Sequence, residues 1–204
     1  MGRRTWLIAI VPLLVSSAFS AVPAQADPAS DLIQSAIVSY DVHVEATHLV
    51  TGATVTHDFV SPVTGGPYHI GELIPAELGE LGLVEGPRCK PGGWDLWAWI
   101  DAKNILNETV LRFHTDTEFW YDCKKVTSIP FVTVYGSDYA YFWQYDRTIA
   151  REKHGVGTKA ATVVGAASFK QCLNVGFGEI CPNHDSFKIT IHAFGNGTFT
   201  MEGH

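Results

Sequence analysis

The stretch IPFVTVYGSDYAYFWQYDRTI (Ile129–Ile149) holds seven aromatic side chains. From Tyr139 the chain alternates: Tyr139, Tyr141, Trp143, Tyr145 and Arg147 share one parity, and Ala140, Phe142, Gln144 and Asp146 the other. A period of two is that of a β-strand, whose successive side chains point to opposite faces. Gly136-Ser137-Asp138 reads as a turn ahead of this strand. A strand with large rings on both faces is either covered on both sides or presents one ring face to a ligand. A buried row would have to find partners for its phenol hydroxyls and indole N–H, whereas an exposed row offers flat faces to sugar rings. Tyr139, Tyr141, Trp143, Tyr145 and Arg147 are therefore the first candidate ligand-binding set.

Working outward, the same alternation recurs. Trp94 to Asp101 sets Trp97 and Trp99 against Trp94, Leu96, Ala98 and Ile100, and these two tryptophans join the candidate set. Thr109–Thr115 alternates cleanly, and Ala160–Phe169 is small and apolar, as a close-packed strand requires. Arg151–Lys159 reads as a charged turn. Ile37–Val60 reads as a hairpin pairing Val44 with Phe59, Ala46 with His57 and His48 with Val55. That register keeps the apolar sets on one face and places Glu45 opposite Asp58 on the solvent side. His48 and His57 would then lie diagonally adjacent, half-buried at the sheet margin.

The C-terminal hairpin offers two registers. A two-residue Asn196-Gly197 turn would split the apolar face, whereas a three-residue Gly195-Asn196-Gly197 loop pairs Ala193 with Phe199 and Ile191 with Met201. Burying a whole face outweighs a turn preference, since each buried Phe or Met contributes about 1.5–3 kcal/mol. Between the first hairpin and the tryptophan strand, residues 62–93 are rich in Pro and Gly and carry Glu72, Glu77, Glu80 and Glu85. Pro75 through Leu83 suits a short helix. Short strands separated by turn signals predict an all-β, antiparallel sandwich with one long acidic connection; a partly closed barrel is the alternative.

The N-terminus carries Arg3 and Arg4, a fourteen-residue apolar run from Trp6 to Phe19, and Ala24-Gln25-Ala26. This is the pattern of a secretory signal peptide cleaved after Ala26, and the run is shorter than the ~20 residues a spanning helix needs. Residues 27–204 are then expected to form one domain, exported and not inserted in a membrane. Without Arg3 and Arg4 the chain has 12 basic and 21 acidic side chains. That balance argues against nucleic acid as a partner and leaves carbohydrate or another extracellular protein. A monomer is expected.

Cys89, Cys123, Cys172 and Cys181 form an even set in an exported chain, which reads as two disulfides. Closing nearest neighbours costs least entropy and predicts Cys89–Cys123 with Cys172–Cys181. No Cys-x-x-Cys, His-x-His or His-x-x-x-His spacing occurs, so neither a metal nor a cofactor is expected.

Catalytic motifs are sparse: no Gly-x-Ser-x-Gly, His-Glu-x-x-His or phosphate loop is present. Cys181-Pro182-Asn183-His184-Asp185 resembles the Cys-x-x-His-Asp segment of secreted phospholipases A2, which implies a water-activating His184 and a calcium-binding Asp185 on a helix. Pro182 and the period of two through Phe187, Ile189 and Ile191 instead predict a strand. Carboxylates flank both aromatic segments, Asp95 and Asp101 on one and Asp138 and Asp146 on the other, as paired groups for glycoside cleavage would. The leading expectation is a secreted binding protein that recognises a polysaccharide or cell-surface ligand through an aromatic strand face. The alternatives are an extracellular inhibitor or toxin/immunity-type partner acting through the acidic connection, and an extracellular hydrolase.

Overall fold

The alternation read along the sequence becomes two stacked antiparallel sheets. The computed structural model describes residues 36–62, 89–139, 142–174 and 178–203. Its strands are β1 (Ile37–His48), β2 (Thr54–Pro62), β3 (Gly92–Asn104), β4 (Thr109–Tyr121), β5 (Val126–Ser128), β6 (Val132–Asp138), β7 (Trp143–His154), β8 (Ala160–Asn174), β9 (Glu179–Phe194) and β10 (Phe199–Gly203). The first sheet runs β2-β1-β3-β4, with β5 and β6 both pairing with β4 at its far side; the second runs β10-β9-β8-β7. The sheets do not close on each other, so the architecture is the sandwich and not the partly closed barrel.

One parity of each strand builds the core. The first sheet contributes Val42, Val44, Ala46, Trp94, Leu96, Ala98, Ile100, Leu111, Phe113 and Phe119. The second contributes Val163, Phe169, Phe187, Ile189, Ile191, Phe199 and Met201. Phe187 stands between the layers, edge-on to Phe169 at 5.6 Å and 6.1 Å from Phe113. The small residues of β8 let the sheets approach: a Cβ on Gly165 would lie 2.3 Å from Thr115 Oγ1. His48 is buried, and its Nε2 is 3.0 Å from the Tyr121 hydroxyl.

The C-terminal hairpin has the expected register, with Ala193 opposite Phe199 and Ile191 opposite Met201, and Gly197 is left-handed at φ 89°. Both disulfides form as expected, Cys89–Cys123 and Cys172–Cys181, and no cysteine is free. No helix among the described residues is long and apolar enough to cross a membrane. The signal segment and the Pro75–Leu83 helix lie outside the described residues.

The first hairpin differs from expectation by a slide of two residues. Val44 faces His57 and Ala46 faces Val55, because the turn closes tightly, with His48 N–H donating to the Ala53 carbonyl at 2.8 Å. The apolar parity survives. The slide removes the Glu45–Asp58 repulsion and sets His43 against Asp58, to which its Nδ1 hydrogen-bonds. His57 is exposed on the edge strand instead of sharing a margin with His48.

The second correction concerns the aromatic ladder. Gly136-Ser137-Asp138 is not a turn but the end of β6, where Gly136 pairs with Phe113. Glycine is needed there for close approach, since a Cβ would lie 2.4 Å from Phe169 Cζ and 2.5 Å from Tyr145 Cδ2. The chain leaves the first sheet after Asp138 and enters the second at Trp143, with Phe142 at φ 67° between them. The ladder is thus not one strand: Tyr139 follows β6 of the first sheet, and Trp143, Tyr145 and Arg147 lie on β7 of the second. Likewise Arg151–His154 completes β7, and the charged turn is confined to Gly155–Lys159.

Candidate functional site: the outer face of the first sheet

The parity of β3 that is not core carries Asp95, Trp97, Trp99 and Asp101. On β4 it carries Arg112, His114, Asp116, Glu118 and Trp120, on β1 Asp41, His43 and Glu45, and on β6 Thr133 and Tyr135. Strand pairing sorts these into rows across the sheet. His43, Trp99, His114 and Tyr135 stand side by side in one row. His43 stacks on Trp99 at 3.9 Å between ring centroids, and His114 lies 4.2 Å from Tyr135 and 5.1 Å from Trp97. The next row reads Glu45, Trp97, Asp116 and Thr133, and beyond it Asp95 faces Glu118. The result is an aromatic strip, its rings mostly tilted to one another by about 50°, bordered on one side by carboxylates.

On the other side of the strip, Arg112 is gripped by Asp101 through two hydrogen bonds of 2.5 and 2.6 Å. The Asp101 hydrogen bond raises the guanidinium pKa further. The same guanidinium carbon lies 5.6 Å from the Trp99 ring centroid and 5.8 Å from that of Tyr139. A cation between two aromatic faces and a carboxylate is doubly favoured, by the ring quadrupoles and by the ion pair.

Electrostatics on the carboxylate side is strained. Burial, with Asp95 and Glu118 close by, pushes Asp116 up from 3.8 to about 6. Asp95 is also raised, by burial and then by Glu118 and Glu45, against a lowering hydrogen bond from the Trp97 side chain. Asp95 Oδ1 and Asp116 Oδ1 are both buried and accept no hydrogen bond. Burial and the neighbouring Arg112 push His114 down to about 4, so it is neutral at physiological pH. Glu118 accepts the Trp120 indole N–H.

The structure divides the candidate residues of the sequence. Trp97 (39% exposed), Trp99 and Tyr139 (54% exposed) meet on this face, joined through Trp99 and Arg112. Trp143 is 7% exposed and belongs to the core. Tyr145 is half-buried against Phe169, its hydroxyl 2.5 Å from Thr148 Oγ1. Arg147 is exposed on the second sheet beside Asp146, and Tyr141 lies outside the described residues. The ladder therefore supplies Tyr139 alone to the aromatic strip. Sequence reasoning missed His43, Arg112, His114, Asp116, Glu118 and Tyr135. The polar parity of Arg112-x-His114-x-Asp116-x-Glu118-x-Trp120 was the available signal.

The other candidate chemistry dissolves. Cys181–Asp185 lies on β9, a strand, where the phospholipase-like arrangement needs a helix. Asp185 instead partners the Tyr40 hydroxyl, whose pKa is driven up to about 12 by burial and by that carboxylate. Asp101 is consumed by Arg112, and Asp146 accepts the Ser168 hydroxyl at 3.0 Å. Among the described residues, the group with three potential metal ligands near one point is Cys172, Glu179 and Cys181, and its two sulfurs form a disulfide.

Comparison with protein-family models, with curated proteins and with solved structures finds no match. The functional reading accordingly rests on the geometry of this face.

Proposed function

We propose that the chain is an extracellular binding protein that recognises a polysaccharide on the outer face of its first sheet. One observation carries the reading. Trp97 and Tyr139 present indole and phenol surface to solvent, on the same face as the half-buried carboxylates Glu45, Asp95 and Asp116. Sugar rings stack their C–H faces on aromatic rings and donate hydroxyls to carboxylates, so the two halves of the site match the two halves of such a ligand. The N-terminal export pattern and the two disulfides support an oxidising, extracellular setting. No cofactor enters this reading, and the described residues provide nothing for the inhibitor alternative, whose acidic connection lies outside them.

The test is a panel of soluble polysaccharides titrated against the protein while tryptophan emission is followed. At least one should shift the emission of the protein and leave Trp97→Ala unperturbed, with Trp97→Ala still folded by circular dichroism. A panel without binders, or a Trp97→Ala variant that binds as well as the parent, overturns the proposal. Hydrolysis of the same ligand is a second reading, favoured by the raised Asp116 carboxyl beside Asp95. Release of reducing ends that disappears in Asp116→Asn would establish it.

A further inference from the structure

The sheet shows how it holds a cation. At Trp99 the Arg112 guanidinium lies between an indole face and the Asp101 carboxylate. Two residues along the same strand the arrangement repeats around Trp97. Glu45 stands directly across from it on β1, Asp116 directly across on β4, and Asp95 next to it on β3. Trp97 is 39% exposed. Here, however, no lysine or arginine among the described residues pairs with the three carboxylates; the ion pairs on this sheet are His43–Asp58, Lys103–Asp41 and Arg112–Asp101.

Resting on the polysaccharide reading above, we propose that the ligand of this face carries protonated amino groups, as an amino-sugar polymer does. One ammonium sits over the Trp97 indole and is balanced by Glu45, Asp95 and Asp116. The indole is the strongest of the aromatic cation acceptors, and the carboxylates supply the counter-charge. Charge complementarity excludes the other occupants. Residues 63–88 bring four glutamates against Arg88, residues 27–35 bring Asp27 and Asp31, and a second copy of the chain brings the same net charge of −7. All three would be repelled. A lysine-rich peptide would satisfy the carboxylates but leaves the aromatic row of Trp99, His114 and Tyr135 without a ring to match.

The Asp116 carboxyl is raised first by burial and then by repulsion from Asp95 and Glu118, and the second part agrees with this geometry, since acids gathered without a cation repel one another. An ammonium over Trp97 would relieve that repulsion, so binding is expected to release protons at pH 6.

The experiment is calorimetric titration of the oxidised protein with glucosamine oligomers, with the same oligomers fully N-acetylated, and with poly-lysine, at a pH where the sugar amine is protonated. Glucosamine oligomers are expected to bind about tenfold tighter than the acetylated ones, and the preference should shrink as salt is raised. Glu45→Gln with Asp116→Asn should bring the two affinities together. Equal binding of both oligomers by the parent overturns the amine requirement while the polysaccharide reading stands. Binding of poly-lysine without either sugar overturns both.

Discussion

Replacing Asp116 with Asn should stabilise this protein, and only above the acid range. Asp116 is raised from its ordinary 3.8 to about 6, first by burial and then by Asp95 and Glu118. Well below pH 3.8 the side chain is protonated in the folded and the unfolded chain, and Asn is its neutral isostere, so the two proteins should unfold together. Between pH 4 and 6 the folded state holds a proton that the unfolded state has lost, and parental stability falls as pH rises. Above pH 6 the folded state carries a repelled charge that the unfolded chain carries freely. The displacement corresponds to an upper bound of about 3 kcal/mol, and screening by the solvent that reaches this face reduces it to about 1–2 kcal/mol. For a domain of this size that is about 3–6 °C in melting temperature. Thermal unfolding of both proteins, followed by circular dichroism at pH 4 and pH 7.5, measures it. A difference of the same size at both pH values, or destabilisation at pH 7.5, refutes the reasoning.

Three further outcomes test the frame around the site. Gly165→Ala should cost about 1–3 kcal/mol in denaturant unfolding, because its Cβ would meet Thr115 Oγ1 at 2.3 Å and Val134 Cγ2 at 3.0 Å between the sheets. Asp101→Ala should cost about 2 kcal/mol by leaving Arg112 without its carboxylate, and it should loosen Tyr139, seen as faster quenching of tyrosine emission. His114→Gln should flatten the loss of stability on acidification. The folded-state pKa of about 4 lies below the ordinary 6.5, so the stability that His114 contributes is lost as pH falls from 6.5 to 4. Identical acid-unfolding curves for the parent and His114→Gln would count against that assignment.

Parity along the strands was legible in the sequence wherever one face had to be buried. Trp94, Leu96, Ala98 and Ile100 point inward as their alternation requires, and Phe199 with Met201 selected the C-terminal register against the turn preference of Asn196-Gly197. What alternation cannot register is a shift by an even number of residues. A slide of two in the first hairpin leaves every side chain on its own face, so Val44 could face Phe59 or His57 with the same parity. Alternation is equally blind to a change of sheet. Tyr139 and Trp143 share parity, yet one borders the outer strip and the other enters the core, because the chain crosses between layers at 139–142. The site was half-legible for the same reason. Trp97 and Trp99 stood out by composition, but Asp116 beside Trp97 and His114 beside Trp99 are products of strand pairing, which no single strand encodes.

The crossing at 139–142 also divides the chain in time. Strands β1–β6 belong to one sheet and β7–β10 to the other, so the layers are successive halves of the sequence. The second half is a meander of nearest neighbours, whose pairings close only short loops. The first must bring β1 to β3 across residues 49–91. Loop-closure entropy therefore favours β7–β10 as the earlier folding unit. Each disulfide lies within one half, Cys89–Cys123 in the first and Cys172–Cys181 in the second, so no covalent staple speeds the meeting of the layers. Amide protection in β8 and β9 should thus rise before that in β1 and β3 during oxidised refolding; the reverse order in pulse-labelled hydrogen exchange would place the nucleus in the first half. A polypeptide emerging N-terminus first then carries the proposed binding face on the half that waits longest for its partner, with the core side of Trp94, Leu96 and Ile100 open until the meander arrives.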